Sequence, residues 1–595
     1  NLKASDAITS QIVSNNGAIA ADGGHVLLKK AAARDVVDGL VNMDGFIQAD
    51  SIDGRTGNVS LESDGGTTLV SGTINARGQN AGEKGGLVGM LAHYVGVVDD
   101  ATVDASGSSG GGTVLVGGDA YGGNGVQTAT RTIVQSGARL KANATDNGDG
   151  GKVIVWSDER TDFAGLIEAK GGTHGGNGGF VETSGKMTLS SIGNVDASSV
   201  WGKAGVWLLD PNNIIIQANG LDTNVAGAPN FTTTDDSANV TTGSIQAALN
   251  AGTSVTISTG TSGTNSQAGN ITVASSISKS AGGDATLTLN AANDIIVNGG
   301  VSISSNTNKL NVTFDSDADA SGAGAIVMNS GSSITSNGGN IMLGGGPTPT
   351  TSFAVGNATH ANGVELNGVT VNAGGGNITA NGQAYIGDYL GYSGVALTGT
   401  TMSTTGTGSI TLNGHTASAY SAGDNGVVVD NSTVTVQNGA MAMNGTETSN
   451  IDEQKTGILI AGTSTLQSTG TGTITLLGDM HNDNAGYNQY NNGIVTSAGS
   501  TITSVNGDIT LTGHGNDKRT TGLDLSGTIS STGTGPGAAK INLIGSSTNL
   551  ADLGSIGINL KGTVSSVDGN ISLTGSAPIV SANGSAPILL DSGIN

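Results

Sequence analysis

Asp315, Asp317 and Asp319 stand at alternate positions directly after the apolar run 310–314 of this 595-residue chain. Successive side chains of an extended segment point to opposite sides, so three alternate carboxylates share one side and would suit a hard cation such as Ca2+. As an EF-hand loop the stretch fails, because Ala320 stands where Gly is required and Ile326 where the bidentate Glu belongs. A solvated turn is the plainer reading. Asp146 and Asp149 in TDNGDGGK form half of a calcium-binding nonapeptide pattern, but the pattern occurs once and has no array around it. His25, His93, His174, His360, His415, His481 and His514 are scattered without ligand spacing, which argues against zinc. GGTHGGNGGF lacks the Gly-Lys-Ser/Thr ending of a phosphate loop and precedes a strand pattern, so its glycines read as a turn. Trp156, Trp201 and Trp207 would offer an aromatic sugar platform if they met on a surface; sealing a core is the commoner use. No acid–base constellation emerges, and the expectation is a non-catalytic protein with no cofactor beyond a Ca2+ ion at Asp315, Asp317 and Asp319.

The elements that would position these residues come from a repeat. The tripeptide "apolar, any, Ala" recurs with its first residue at Ile19, Ile47, Ile74, Val103, Leu140, Ile167 and Val195, at intervals of 28, 27, 29, 37, 27 and 28 residues. After each marker a Gly-rich turn leads to a second short alternating run, at 26–28, 59–61, 87–90, 114–116, 153–155, 180–183 and 206–209. Alternation over three to five residues marks a short strand with one buried face. The 37-residue interval carries an inserted loop, AYGGNGVQTATRT, expected on the outside.

A second repeat runs through Ile341, Ile378, Ile410, Met441, Ile474, Ile509, Ile541 and Ile571. It has companion strands at Val364, Val395, Val427, Ile458, Ile494, Leu523 and Ile558, and third strands at Val369, Met402, Val434, Leu466, Ile502, Ile529 and Val564. The fold class that follows is all-β: a right-handed parallel β-helix with three short strands per coil, about 18 coils and a rod on the order of 85 Å. One short helix is expected near 244–250, with Ile245, Ala248 and Leu249 on its apolar face, Ser244 as cap and Gly252 past its end. Three blocks result: 1–211 with coils of about 28 residues ending at WLLDP, 212–337 as an irregular transition, and 338–595 with coils of about 33 residues. Loops such as HNDNAGYNQYNN and HGNDKRTT fall between strands.

Composition narrows the class further. There are 46 acidic against 22 basic residues, a formal charge of −24, which argues against nucleic acid or an anionic membrane as partner. Fifteen of the 22 Lys and Arg precede Pro211. No apolar run is long enough for a transmembrane helix, and the absence of Cys rules out disulfide bracing. The chain starts and stops in mid-repeat, which reads as a segment of a longer polypeptide.

The stretches GGHVLLKKAAARDVVDGLVNMDGFIQA, GGNGGFVETSGK and NVDASSVWGKAGVWLLDPNNIII resemble the filamentous-haemagglutinin-like exoproteins of two-partner secretion in Gram-negative bacteria. The likeness covers about residues 19–216, and the later GxITLxG strands are similar to the same family. It implies a secreted, cell-surface β-helical stalk that threads unfolded through an outer-membrane transporter pore. Its partners would be a host or neighbouring-cell surface, or sister fibres. Implied activities are attachment, cell–cell aggregation and biofilm formation, with a stalk for a C-terminal toxin or a homopolymeric fibre as alternatives. The family's secretion domain is not among these residues, so pore recognition falls on no residue here.

Overall fold

The computed structural model describes residues 12–30, 40–210, 213–218, 237–259, 267–387, 391–416, 424–448, 455–480, 491–515, 520–547, 554–577 and 585–590. Pro211, His481 and most of the two loops quoted above lie outside them. The chain is an all-β, right-handed parallel β-solenoid of about 16 turns with a single short helix among the described residues. It divides into two compact units, Asn1–Thr288 and Leu289–Asn595.

In the first unit the sequence markers are register partners. Ile19, Ile47, Ile74, Val103, Leu140, Ile167 and Val195 pair in that order through one parallel sheet. Val26, Val59, Val88, Val114, Val153, Val181 and Trp207 do the same on another face. All but Val26 of this second column are at most 1% exposed. Each such side chain stacks on its counterparts one turn away and is stabilised by roughly 1.5–3 kcal/mol relative to exposure.

From the second marker on, the Ala sits just past the strand and is buried, and from Ala76 on its carbonyl closes the next turn. Ala105 O accepts the N–H of Gly112 at 2.7 Å, Ala142 O that of Gly151 at 2.7 Å, and Ala169 O that of Gly179 at 2.7 Å. The Gly-Gly pairs ahead of the second strands lie against neighbouring backbone so closely that a Cβ would overlap it. A side chain has no space at these glycines, which is why the turn reads Gly-Gly.

The irregular stretch has a topological cause. Strand Asn213–Gln217 lies one level ahead of its place in the chain, and strand Ser237–Thr241 fills the slot it leaves, pairing with Thr188–Ser191 below and Asn213–Gln217 above. On the third face the slot between strands Asn194–Asp196 and Ile277–Lys279 is occupied by α1, Thr242–Ala251. Ile245, Ala248 and Leu249 are its buried face, as expected. The cap differs: Thr241 Oγ1 accepts the N–H of Ser244 at 3.2 Å, so Ser244 is inside the helix and Thr241 closes it. Gly252 takes the left-handed C-cap conformation at φ 86°. A strand threaded ahead and a helix in a strand's place leave fewer turns than counting apolar runs suggests.

In the second unit all eight residues of the first marker series pair consecutively, from Ile341 to Ile571. The companion series from Val364 to Ile558 is likewise continuous. The third series starts differently, because Val371 and not Val369 is the partner of Met402, while Val369 is buried in the turn before it. Outward polar residues form ladders: Asn444 Nδ2 donates to Asn413 Oδ1 and Asn413 Nδ2 to Asn381 Oδ1, both at 2.7 Å. Asn381 Nδ2 ends the chain on Pro349 O at 2.8 Å.

Candidate binding surface

The three aspartates occupy three different environments. Asp317, at φ 50°, is buried as the cap of its own turn, its Oδ1 accepting from Ser321 Oγ at 3.1 Å, Gly322 N at 2.9 Å and Ala323 N at 3.2 Å. Asp319 is exposed and accepts only from Ser321 N, at 3.1 Å. Asp315 is buried with Oδ1 unbonded, and burial together with the Asp317 charge pushes its carboxyl up to about 7. Among the described residues no three His, Cys, Asp or Glu side chains are grouped to hold a metal ion. Asp315 belongs to the strand and Asp317 and Asp319 to the turn after it, because the chain leaves the strand at Ser316 and alternation ends there.

Two of the described histidines contact residues of other turns. His360 Nδ1 lies 2.9 Å from Asp294 Oδ2, a contact that raises its pKa. His415 Nδ1 is 3.0 Å from Thr446 Oγ1, and burial lowers its pKa. These are ladder contacts between turns.

The inserted loop folds back over the outer face of the first unit. Leu115, Ile154 and Trp156 point out from their strands yet are buried, with Ala120 and Phe180 packed against them. Asp119 accepts the N–H of Ala120 at 2.7 Å and pairs with Lys152, fixing the start of the loop. Tyr121, at φ 56°, donates its N–H to both oxygens of Glu182 at 3.2 Å. Register aligns Leu115, Ile154, Glu182 and Leu208, so this carboxylate stands in an otherwise apolar column. Burial pushes Glu182 up to about 7, the nearby Asp210 adding to the effect, and burial pushes Asp210 up to about 6.

The folded protein therefore keeps the Glu182 proton to higher pH than the unfolded chain, whose ordinary value is 4.5. More protons are bound folded than unfolded between those values, so stability falls as pH rises through that window. Glu182→Gln is expected to remove a stability loss on the order of 3 kcal/mol between pH 4.5 and 7.5. Denaturant midpoints from Trp fluorescence test this, since all three Trp lie in the first unit. An unchanged pH slope in the variant counts against it.

The three tryptophans are separated. Trp207 is buried beside Phe163, ring centroids 6.5 Å apart, and donates Nε1–H to Thr183 Oγ1 at 3.0 Å. Trp156 lies beneath the inserted loop. Trp201 is 69% exposed on a stacked-turn face, beside Val200 at 77%. Its ring is nonetheless held: Nε1–H donates to Thr173 O at 2.7 Å, and Ser199 Oγ accepts the backbone N–H of Trp201 and of Gly202 at 3.3 and 2.7 Å. The same face carries His174, whose Nδ1 is 2.6 Å from Asp146 Oδ1, and Asn177, whose N–H donates to Asp149 Oδ1 at 2.6 Å. Asn177 Oδ1 in turn accepts the N–H of Lys203 at 2.8 Å. The turn reading of Asp146 and Asp149 agrees with these contacts. A fixed apolar ring bordered by polar groups can stack on the flat face of a polar ligand. The sequence signal was available in the register: Trp201 falls in a Gly-rich turn, not at a strand position.

The fold and this face define the class as a parallel β-solenoid presenting stacked polar turns. No protein-family model matches the chain, and no curated protein matches it significantly.

Proposed function

We propose that the protein is the secreted, non-catalytic β-helical stalk of a filamentous-haemagglutinin-like adhesin, exported through an outer-membrane pore and acting in attachment to a glycan-bearing cell surface. The observation that carries this reading is the coil stack, in which each marker column keeps register over successive turns of its unit. Such an array extends by adding turns, which suits a spacer. The net charge of −24 fits a neutral or cationic contact better than an anionic one.

On this reading the Trp201 face supplies a contact. Trp201→Ala is expected to reduce binding of the purified chain to cells about tenfold or more, the loss typical of a central aromatic anchor. Its stability should change by no more than about 1 kcal/mol, as for an exposed side chain. Flow cytometry with labelled protein reads the first quantity and denaturant melts the second. Undiminished attachment by the variant removes Trp201 from the contact. Absence of attachment by the unaltered chain sinks the adhesin reading itself.

A further inference from the structure

The second unit buries a lysine between two carboxylates, a constellation that neither the repeat pattern nor attachment requires. Lys455 is 1% exposed, and Asp424 and Glu447 are 0% exposed. Asp424 directly precedes strand Asn425–Asp430 and Lys455 directly precedes strand Thr456–Ala461. These strands pair with Asn425 opposite Thr456, which sets positions 424 and 455 side by side one turn apart. Glu447 ends strand Met441–Glu447. Lys455 Nζ lies 3.1 Å from Glu447 Oε1 and 4.0 Å from Asp424 Oδ2.

We propose that Lys455 and Asp424 join in an intramolecular isopeptide bond, with Glu447 carrying the protons, so that two successive turns are stapled covalently.

The division of roles follows from the contacts. Glu447 holds the hydrogen-bonding position on Nζ, the place of a base. Asp424 Oδ1 accepts the backbone N–H of Tyr392 at 2.8 Å, so a donor is already aimed at the oxygen that would become negative during attack on Cγ. Oδ2 faces the amine and is the oxygen that leaves. The backbone N–H of Lys455 is anchored on Asn491 Oδ1 at 3.0 Å, fixing the base of the nucleophile's side chain.

Three charges shielded from water are costly to maintain, and passing one ammonium proton by way of Glu447 to Asp424 Oδ2 removes two of them and leaves Glu447 a free carboxylate. The neutral amine then adds to Asp424 Cγ. Glu447 takes a proton from the adding nitrogen and delivers it to Oδ2. One C–N bond forms, one C–O bond breaks, and the oxygen departs as water with two protons that were on the amine. Ammonium and carboxylate become amide and water, Glu447 ends as it began, and no oxidant, metal or cofactor enters the balance. Held reactants of this kind behave as if highly concentrated, which is how an unactivated carboxyl can be acylating here.

The test is the intact mass of the full 595-residue chain under denaturing conditions, followed by fragmentation of its proteolytic peptides. Most molecules are expected to be lighter than the sequence by one water, with the peptide bearing Asp424 joined to the peptide bearing Lys455. Lys455→Met and Asp424→Ala should restore the full mass. Glu447→Gln keeps both reacting groups and should leave most chains unlinked. A wild-type chain at its full sequence mass overturns the proposal, and that measurement needs no variant to fold. A deficit of one ammonia, with Asn491 in the linked peptide, overturns the assignment to Asp424.

Discussion

Lys455→Met lowers the stability of the second unit by about 3–5 kcal/mol, the range for removing one member of a buried ion group. The substitution retains the aliphatic volume, so the loss does not come from a cavity. It comes from Glu447 and Asp424, both 0% exposed, each of which loses its contact with the cation. Desolvation of the two carboxylates then lacks the Coulombic compensation that the Lys455 contacts at 3.1 and 4.0 Å supply. The triple variant Lys455→Met, Asp424→Asn, Glu447→Gln should recover most of the electrostatic part, because no charge is then buried. What it fails to recover measures the contribution of a covalent link. Hydrogen exchange along strands Met441–Glu447 and Thr456–Ala461 is the appropriate readout, since the Trp residues are in the other unit and a solenoid can open locally. Unchanged protection in the single variant would show that the pair contributes nothing.

Gly151→Ala is the second large effect, expected to cost about 3 kcal/mol or more. A Cβ at this position would overlap Gly112 O and Gly111 C, both backbone atoms of the preceding turn, as well as Ala142 Cβ. Side chains can rotate away from a new methyl group, whereas a backbone carbonyl committed to the sheet can only separate the turns. Separation also stretches the bond from Gly151 N–H to Ala142 O and loosens the stack of Val153 on Val114 and Val181. Gly283→Ala is the matched control, because a Cβ there meets nothing within 4 Å. Its stability should shift by less than about 1 kcal/mol. Trp fluorescence reports both variants in the same unit, and equal midpoints for the two would refute the packing argument.

Much of this architecture was legible from the chain alone. A solenoid turns tertiary contact into sequence period, because each turn's neighbours are one repeat away, so spacing Ile19, Ile47 and Ile74 amounts to stating which residues touch. The same holds for the ladder from Ile341 to Ile571, whose inward positions tolerate only apolar residues. Helix α1 was legible too, as the place where the apolar period changes from two to three or four.

What the period does not encode, the sequence did not show. The strand Ser237–Thr241 enters beneath Asn213–Gln217, and a chain threaded out of order looks locally identical to one threaded in order. Asp315, Asp317 and Asp319 looked equivalent until the strand end at Ser316 set one of them under cover, one at the turn cap and one in solvent. Likewise three tryptophans of one type became a core residue, a residue beneath a folded-back loop and an exposed platform. Lys455, Asp424 and Glu447 are separated by 31 and 8 residues from the lysine, and only the packing of one turn on the next encloses them together. Periodicity fixes which residues face inward, since that depends on local alternation and hydrophobic burial. Burial of charge, cover by loops and the approach of reactive groups depend on which turns meet, and only the tertiary structure decides that.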